Sequence, residues 1–172
     1  MNDRLAEYWD TRAKAYDKNV RPVIYSRRKM AVWQKILTWA IGENSQMILD
    51  VVTGPGIVAN LLADLGHEVT GIDPSAEMLN RARENSKALH HHLKFIQADG
   101  EDLSFEDAYL DAVLSRYVMW TIPDPIAALG EWHRVLKPDG KVVIGDGRRN
   151  DGREKTLRRL LWKNLSLVLV VL

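Results

Sequence analysis

The sequence predicts an α/β fold, a doubly wound and mostly parallel sheet with helices on both faces. Three observations predict it. Short apolar runs alternate along the chain with amphipathic stretches of helical period. The first run, Met47-Ile48-Leu49-Asp50-Val51-Val52, leads directly through the turn Thr53-Gly54-Pro55-Gly56 into a helical stretch. A second run then ends on an acid, Asp73, about twenty residues farther on.

Each element has its own signal. Periodicity predicts a helix over Leu5 to Tyr16 and an amphipathic one over Ser26 to Ile41, where Met30, Trp33, Ile36, Leu37 and Ala40 share a face before Gly42 stops it. After the first strand and glycine turn, Ile57 to Leu65 reads as a helix ended by Gly66. His67 to Ile72 reads as the second strand. Ser75 is placed to cap a helix running to Ala88, because a serine before a helical run can accept from the free N–H groups of the first turn. Leu93 to Ile96 and Leu110 to Leu114 supply the third and fourth strands, and Pro125 to Leu136 a helix with apolar Ile126, Leu129 and Trp132. The turn Lys137-Pro138-Asp139-Gly140 precedes a fifth strand, Lys141 to Ile144. Beyond it, the charged stretch Asp146 to Arg159 is expected to be a solvated helix face. Arg153 to Asn164 can form one more helix and Ser166 to Leu172 at most one more strand.

Composition narrows the function classes. A chain of 172 residues is expected to form a single domain, and with 46% hydrophobic residues it can bury a core without staples. The 24 Lys and Arg are balanced by 23 Asp and Glu, so no field argues for nucleic acid or an anionic membrane as partner. Cysteine is absent, which excludes a thiol nucleophile and a thiolate zinc site. The amino terminus lacks the build of a secretory signal, and the apolar run Leu165 to Leu172 is too short to span a bilayer; a cytoplasmic location is expected. His90-His91-His92 suggests a metal tract, but three adjacent histidines cannot converge on one ion from an extended chain, so a solvated loop and no metal are expected. Trp33, Trp39, Trp132 and Trp162 sit at helical spacing and read as core or interface.

The chemistry concentrates at the strand ends. Gly54 and Gly56 let the backbone turn sharply and approach a ligand, and Asp73 can accept from the two hydroxyls of a ribose. A nucleoside cofactor follows. Gly54-Pro55-Gly56-Ile57-Val58-Ala59 matches the G-x-G-x-x-A dinucleotide fingerprint, so an NAD-binding domain is one reading. Asp50, one turn ahead of the glycines, sits badly beside a pyrophosphate and suits a ligand carrying an ammonium group.

Four segments occur in a familiar order: Ile48 to Gly56, Gly71 to Leu79, Gln97 to Leu103 and Arg134 to Gly140. Together with Tyr8-Trp9-Asp10 and Ala15-Tyr16-Asp17 they resemble the class I S-adenosylmethionine-dependent methyltransferases, Rossmann-like proteins, and above all the type 11 small-molecule group that includes quinone-biosynthesis methyltransferases. The resemblance implies S-adenosylmethionine as cofactor and a small-molecule methyl acceptor. It implies that residues 1–42 form lid helices, 46–147 the cofactor-binding core and 148–172 a shortened end. Asp50, Val52, Gly54 and Gly56 would hold the methionine end, Asp73 the ribose, Met78 the adenine face, and Asp99 with Gly100 and Glu101 the adenine amino group. Ser115 and Arg116 would floor the pocket beneath the sulfonium, and Tyr16 would belong to the lid. Trp9, Tyr117 and Trp120 are expected at the substrate wall. In-line transfer needs alignment more than a base, and no catalytic residue is assigned. Of Glu101, Tyr117 and His133, which could accept a proton, His133 reads as structural.

Two positions depart from the pattern. The family's D-x-G-x-G-x-G reads Asp50, Val52, Gly54, Gly56, with valine in place of the first glycine. Val52 either extends the first strand by a residue or pushes its methyls into ligand space. The resemblance also implies a carboxy-terminal antiparallel hairpin for which too little sequence follows the fifth strand. An unfinished edge predicts a homodimer or a heteromeric partner. The two departures together sustain an alternative, a catalytically impaired methyltransferase-like binding or regulatory subunit.

Overall fold

The computed structural model describes residues 3–145. The predicted carboxy-terminal charged face, helix and strand, the hairpin question and Trp162 lie outside these residues. The elements run α1 (Asp3–Asp10), α2 (Ala13–Ile24), α3 (Arg27–Ile41), β1 (Met47–Val51), α4 (Ile57–Asp64), β2 (Glu68–Asp73), α5 (Ala76–Ala88), β3 (Lys94–Gln97), β4 (Leu110–Arg116), α6 (Pro125–Val135) and β5 (Leu136–Gly145). The strands form one sheet in the order β3-β2-β1-β4-β5, with every pairing parallel. The direction of winding reverses between β1 and β4, which opens a crevice beyond their carboxyl ends.

Both faces of the sheet are covered, and the strands show it by alternation. Ile48 of β1 packs with Leu37, Ile41, Ile57 and Leu61 on one face, whereas Leu49 and Val51 pack with Val113, Trp132 and Val135 on the other. Val143 and its neighbours Val142 and Ile144 divide in the same way on β5. Trp132 is fully buried, and its indole N–H donates to the Gly100 carbonyl at 2.9 Å, so α6 also fixes the loop after β3. Arg134 reinforces this contact: its guanidinium donates to the carbonyls of Leu103 and Phe105 and pairs with Glu131 and Asp107.

Several elements differ from the sequence reading. The single helix expected over Leu5 to Tyr16 is two, broken at Thr11 and Arg12. Ser75 does cap α5, its hydroxyl accepting from Met78 N–H at 3.1 Å. The turn at Lys137 to Gly140 lies within β5 as an irregularity, where Asp139 has φ +67° and the β4 register shifts between Leu110 and Ala112. The histidine tract is not wholly solvated: His91 is lodged against α4, with Nδ1 2.9 Å from Asn60 Oδ1 and Nε2 3.1 Å from Asp64 Oδ1. Of the tryptophans expected in the core or at an interface, Trp39 is 71% exposed on the outer side of α3, which leaves only the second reading for it.

Asn85 of α5 joins three elements. Its amide donates to Asp17 of α2 and to the Pro55 carbonyl, both at 2.9 Å, and its oxygen accepts from Arg21. One buried side chain therefore ties the amino-terminal helices to the turn before α4. Nearby, Gly56 has φ +73°, and a Cβ there would lie 3.0 Å from the Ala82 Cβ and 3.2 Å from Phe95. The position excludes a side chain through both conformation and packing. Gly56→Ala is expected to lower stability by about 2–4 kcal/mol, the left-handed cost plus overpacking. Urea unfolding checks this, and an unchanged midpoint would show that α4 and α5 part freely.

Candidate functional site

The turn after β1 is built by a short set of hydrogen bonds. Thr53 N–H donates to the Ile72 carbonyl at 2.8 Å, and Gly54 N–H donates to Asp73 Oδ2 at 2.8 Å. The other Asp73 oxygen accepts from Ser75 N–H at 2.9 Å. Asp73 thereby joins the end of β2 to both the turn and the start of α5. Asp50 lies beneath, on the face covered by α4, and accepts from the Thr53 hydroxyl at 2.5 Å.

Val52 does not extend the strand. β1 stops at Val51, and Val52 adopts φ +55°, the left-handed region that a β-branched residue enters only at a cost of about 1–2 kcal/mol. Chain direction demands it: the turn must bring Thr53 and Gly54 back to β2, and a strand conformation at residue 52 would carry them past it.

Beyond the strand ends lies a cavity of about 590 Å³, within the range for small-molecule sites. Val52, Gly54, Asp73 and Met78 line one side. Arg116, Tyr117, Val118, Trp120 and Thr121 come from the end of β4 and the segment after it, and Trp9 and Tyr16 from the amino-terminal helices. Of the residues singled out in the sequence, the structure thus brings together Tyr16, Val52, Gly54, Asp73, Met78 and Arg116 with Trp9, Tyr117 and Trp120. Asp50 and Ser115 are buried behind the lining, and Gly56 faces Ala82 and Phe95. Asp99, Gly100 and Glu101 also fall outside the lining; Asp99 accepts from Glu101 N–H, and Glu101 accepts from Asp124 N–H. His133 is exposed on α6, away from the cavity.

Val118 and Thr121 were not singled out, although the same segment held Tyr117 and Trp120. Asp10 was missed as well. Its carboxylate accepts from the Ser75 hydroxyl at 2.5 Å and from Glu77 N–H at 3.1 Å, so the end of α1 rests on the start of α5. This contact carries Trp9 to the cavity, where its ring meets Tyr16 edge-on at 5.4 Å.

The buried acids are electrostatically costly. Burial pushes Asp50 up to about 7 against the opposing hydrogen bonds from Thr53 and the Ala59 backbone and the attraction of Arg116. Burial likewise pushes Asp73 up to about 6, opposed by the Ser75 and Gly54 N–H groups. Tyr16 is also raised by burial, with the neighbouring Arg116 guanidinium pulling the other way. Among the described residues no cluster of three or more His, Asp or Glu side chains could hold a metal ion, and no helix is long and apolar enough to cross a membrane.

The cavity at the switch point, with a carboxylate at the end of β2 and a glycine turn at the end of β1, has the layout of a nucleoside site in an α/β protein. The match to known proteins specifies the class. A family model described as a methyltransferase domain, type 11, matches residues 49–144, and the chain belongs to that family. It is 32% identical over 145 residues to the demethylmenaquinone methyltransferase of Renibacterium salmoninarum, covering 84% of this chain and 59% of the relative. A second relative, the demethylmenaquinone methyltransferase of Staphylococcus aureus, is 34% identical over 135 residues and 55% covered, so the chain spans under three-fifths of these curated relatives. Among solved structures, the PH0226 protein of Pyrococcus horikoshii superimposes with a TM-score of 0.62 at 32% identity, over 69% of this chain and 56% of that one. An S-adenosylmethionine-dependent methyltransferase from Aquifex aeolicus shares the fold at TM-score 0.69 and 21% identity, over 90% and 86% of the two chains.

Two predictions follow from the turn and its acids. At ordinary positions alanine is more stable than glycine, but at residue 52 the order reverses: Val52→Gly is expected to exceed Val52→Ala by about 1 kcal/mol in urea unfolding. Equal midpoints would mean that the turn relaxes to an ordinary conformation. The raised acids act on stability with a defined sign. A carboxyl whose folded pKa lies above its unfolded value binds more protons when folded, so its contribution falls as pH rises from about 4 through 7. Buried His67, held below its usual value by desolvation, acts oppositely up to its unfolded pKa of about 6.5. Comparison with Asp50→Asn separates the two. The variant is expected to gain stability relative to wild type as pH rises from 5 to about 7.5, and a constant difference would mean that Asp50 titrates normally.

Proposed function

We propose that this chain binds S-adenosylmethionine and transfers its methyl group in line to a small-molecule acceptor. The single observation that carries this reading is the cavity that joins Gly54, Asp73 and Met78 of the core to Trp9 and Tyr16 of the amino-terminal helices. The donor set fits the cofactor. Asp73 is held by two backbone N–H groups that leave lone pairs for ribose hydroxyls, Met78 offers a polarisable thioether to a purine face, and no atom lies within 4 Å of where a Gly54 Cβ would sit.

When bound, the cofactor supplies a methyl group already activated by its sulfonium. The protein's part is to bind, align and exclude water. The backbone of Val52 to Gly56 would receive the methionine end, with the charge of Asp50 beneath the turn favouring its ammonium. Asp73 would hold the ribose, Met78 the adenine, and the Asp99 to Glu101 segment the adenine amino group. Ser115 underlies the floor. Trp9 and Tyr16 would close over the bound molecules, held in place through the Asp10 and Asn85 contacts. In this reading residues 1–42 are the lid, 46–147 the core, and pairing with a second chain would occur through the side of β5, an edge strand among the described residues. The dinucleotide reading rested on the same glycine turn that the methyltransferase family model covers.

Calorimetric titration with S-adenosylmethionine tests the reading, with S-adenosylhomocysteine production from candidate acceptors as the second readout. Wild type is expected to bind, and Asp73→Asn to bind about tenfold more weakly, the loss of a charged hydrogen-bond acceptor to hydroxyls. Tight NAD binding without S-adenosylmethionine binding would reverse the assignment.

A further inference from the structure

The resemblance sets Arg116 beneath the sulfonium, a place where its charge does nothing for a cationic cofactor. Arg116 closes β4 and lines the cavity beside Tyr117 and Trp120. Its guanidinium lies over two rings, 4.3 Å from the centre of Tyr117 and 5.1 Å from that of Trp33. Stacking of this kind fixes the plane of the group; part of its N–H edge meets the Tyr16 hydroxyl, and the remaining N–H groups, Nε among them, are left for a ligand. Its Nε is buried without a hydrogen-bond partner among the described residues, and none of the ion pairs among those residues includes it. Tyr117 has φ +59°, so the backbone is turned out of the strand path where the ring meets Arg116.

A guanidinium is the wrong group to place beside a sulfonium, because two cations in a partly dry cavity repel. The remaining wall is aromatic and apolar: Trp9, Val118, Trp120 and the ring of Tyr117. A cation set in such a wall is matched by a flat molecule with one anionic oxygen group, whose body packs on the rings and whose charge lies against the guanidinium. The same charge also offsets the sulfonium across the cavity.

We propose that Arg116 is a specificity residue for the methyl acceptor, and that the acceptor is a flat, largely apolar molecule bearing a carboxylate or comparable oxyanion. The proposal rests on the methyltransferase reading for the word acceptor, but the anion preference belongs to the protein alone. Arg116 holds the anion end of the acceptor and leaves the cofactor to the β1 and β2 ends.

The test uses benzoate and its neutral counterpart benzamide, titrated by ligand-observed NMR into the protein alone and into protein saturated with S-adenosylhomocysteine. Benzoate is expected to bind at least fivefold more tightly than benzamide. Arg116→Gln should abolish that preference, and Arg116→Lys should keep part of it. Far-UV circular dichroism and urea-unfolding midpoints report that both variants fold. Equal binding of benzoate and benzamide to wild type overturns the proposal, as does a preference that survives in Arg116→Gln. So does a large loss of S-adenosylhomocysteine affinity in Arg116→Gln with 5′-methylthioadenosine affinity intact, since Arg116 would then hold the cofactor's own carboxylate. Should wild type fail to bind S-adenosylhomocysteine, the methyltransferase reading fails, and the titrations of protein alone still decide the anion preference.

Discussion

The Asp73 carboxylate is the contact on which the rest of the site depends. One oxygen takes the N–H of Gly54 and the other that of Ser75, so the turn after β1 and the start of α5 are fixed to the end of β2 together. The strained residue 52, the cap on α5 and the seat of Asp10 all follow from that junction. Val52 must turn left-handed for Gly54 to reach the carboxylate, and Ser75 must stand where its hydroxyl caps Met78 and donates to Asp10. The amino-terminal helices are thus positioned in part by a residue of the sheet. A hydrogen bond to a charged group in a buried setting is strong enough to hold such a junction against about 1–2 kcal/mol of backbone strain.

Much of this was legible in the sequence, and the reasons are physical. Parallel strands buried on both faces leave continuous apolar runs, which is why β1, β2 and β4 were readable to within two residues. Ser75 declared itself because a cap needs a hydroxyl one residue before the helix. Composition could not show the break at Thr11 and Arg12, since both sides share one amphipathic period and only packing against α5 separates them. The conformation of Val52 was invisible for a related reason: a valine after an apolar run carries the signal of a strand, and tertiary hydrogen bonds overrule it. Asn85 carried no signal at all. Its three partners come from α2 and from the turn before α4, and nothing in a polar helical residue announces contacts sixty residues away.

The cavity residues divide along the same line. Gly54 and Asp73 were found because they sit at fixed offsets from strand ends, where the fold itself demands a turn, whereas Met78 came from the resemblance. Asp50 was found too, yet it lies under the turn rather than in the lining, because its place in β1 alternates with Leu49 and Val51 and so faces α4. Arg116 and Tyr117 were readable as being near the site, but their mutual stacking depends on a left-handed residue 117 that no pattern encodes.

Burial makes both acids at this site unfavourable as anions, and the hydrogen bonds they receive only partly offset that. The free protein therefore carries an electrostatic cost at the point where a cationic ligand would enter. A ligand that places positive charge near Asp50 removes some of that cost, so binding and stability are coupled: the folded form gains by RT ln(1 + [L]/Kd), about 2.7 kcal/mol at a hundredfold excess over Kd. The strained valine adds to the cost that the frame must carry. Strain at residue 52 and burial of Asp50 both destabilise the site, while the Asp73 junction and the Asn85 contacts keep its frame folded.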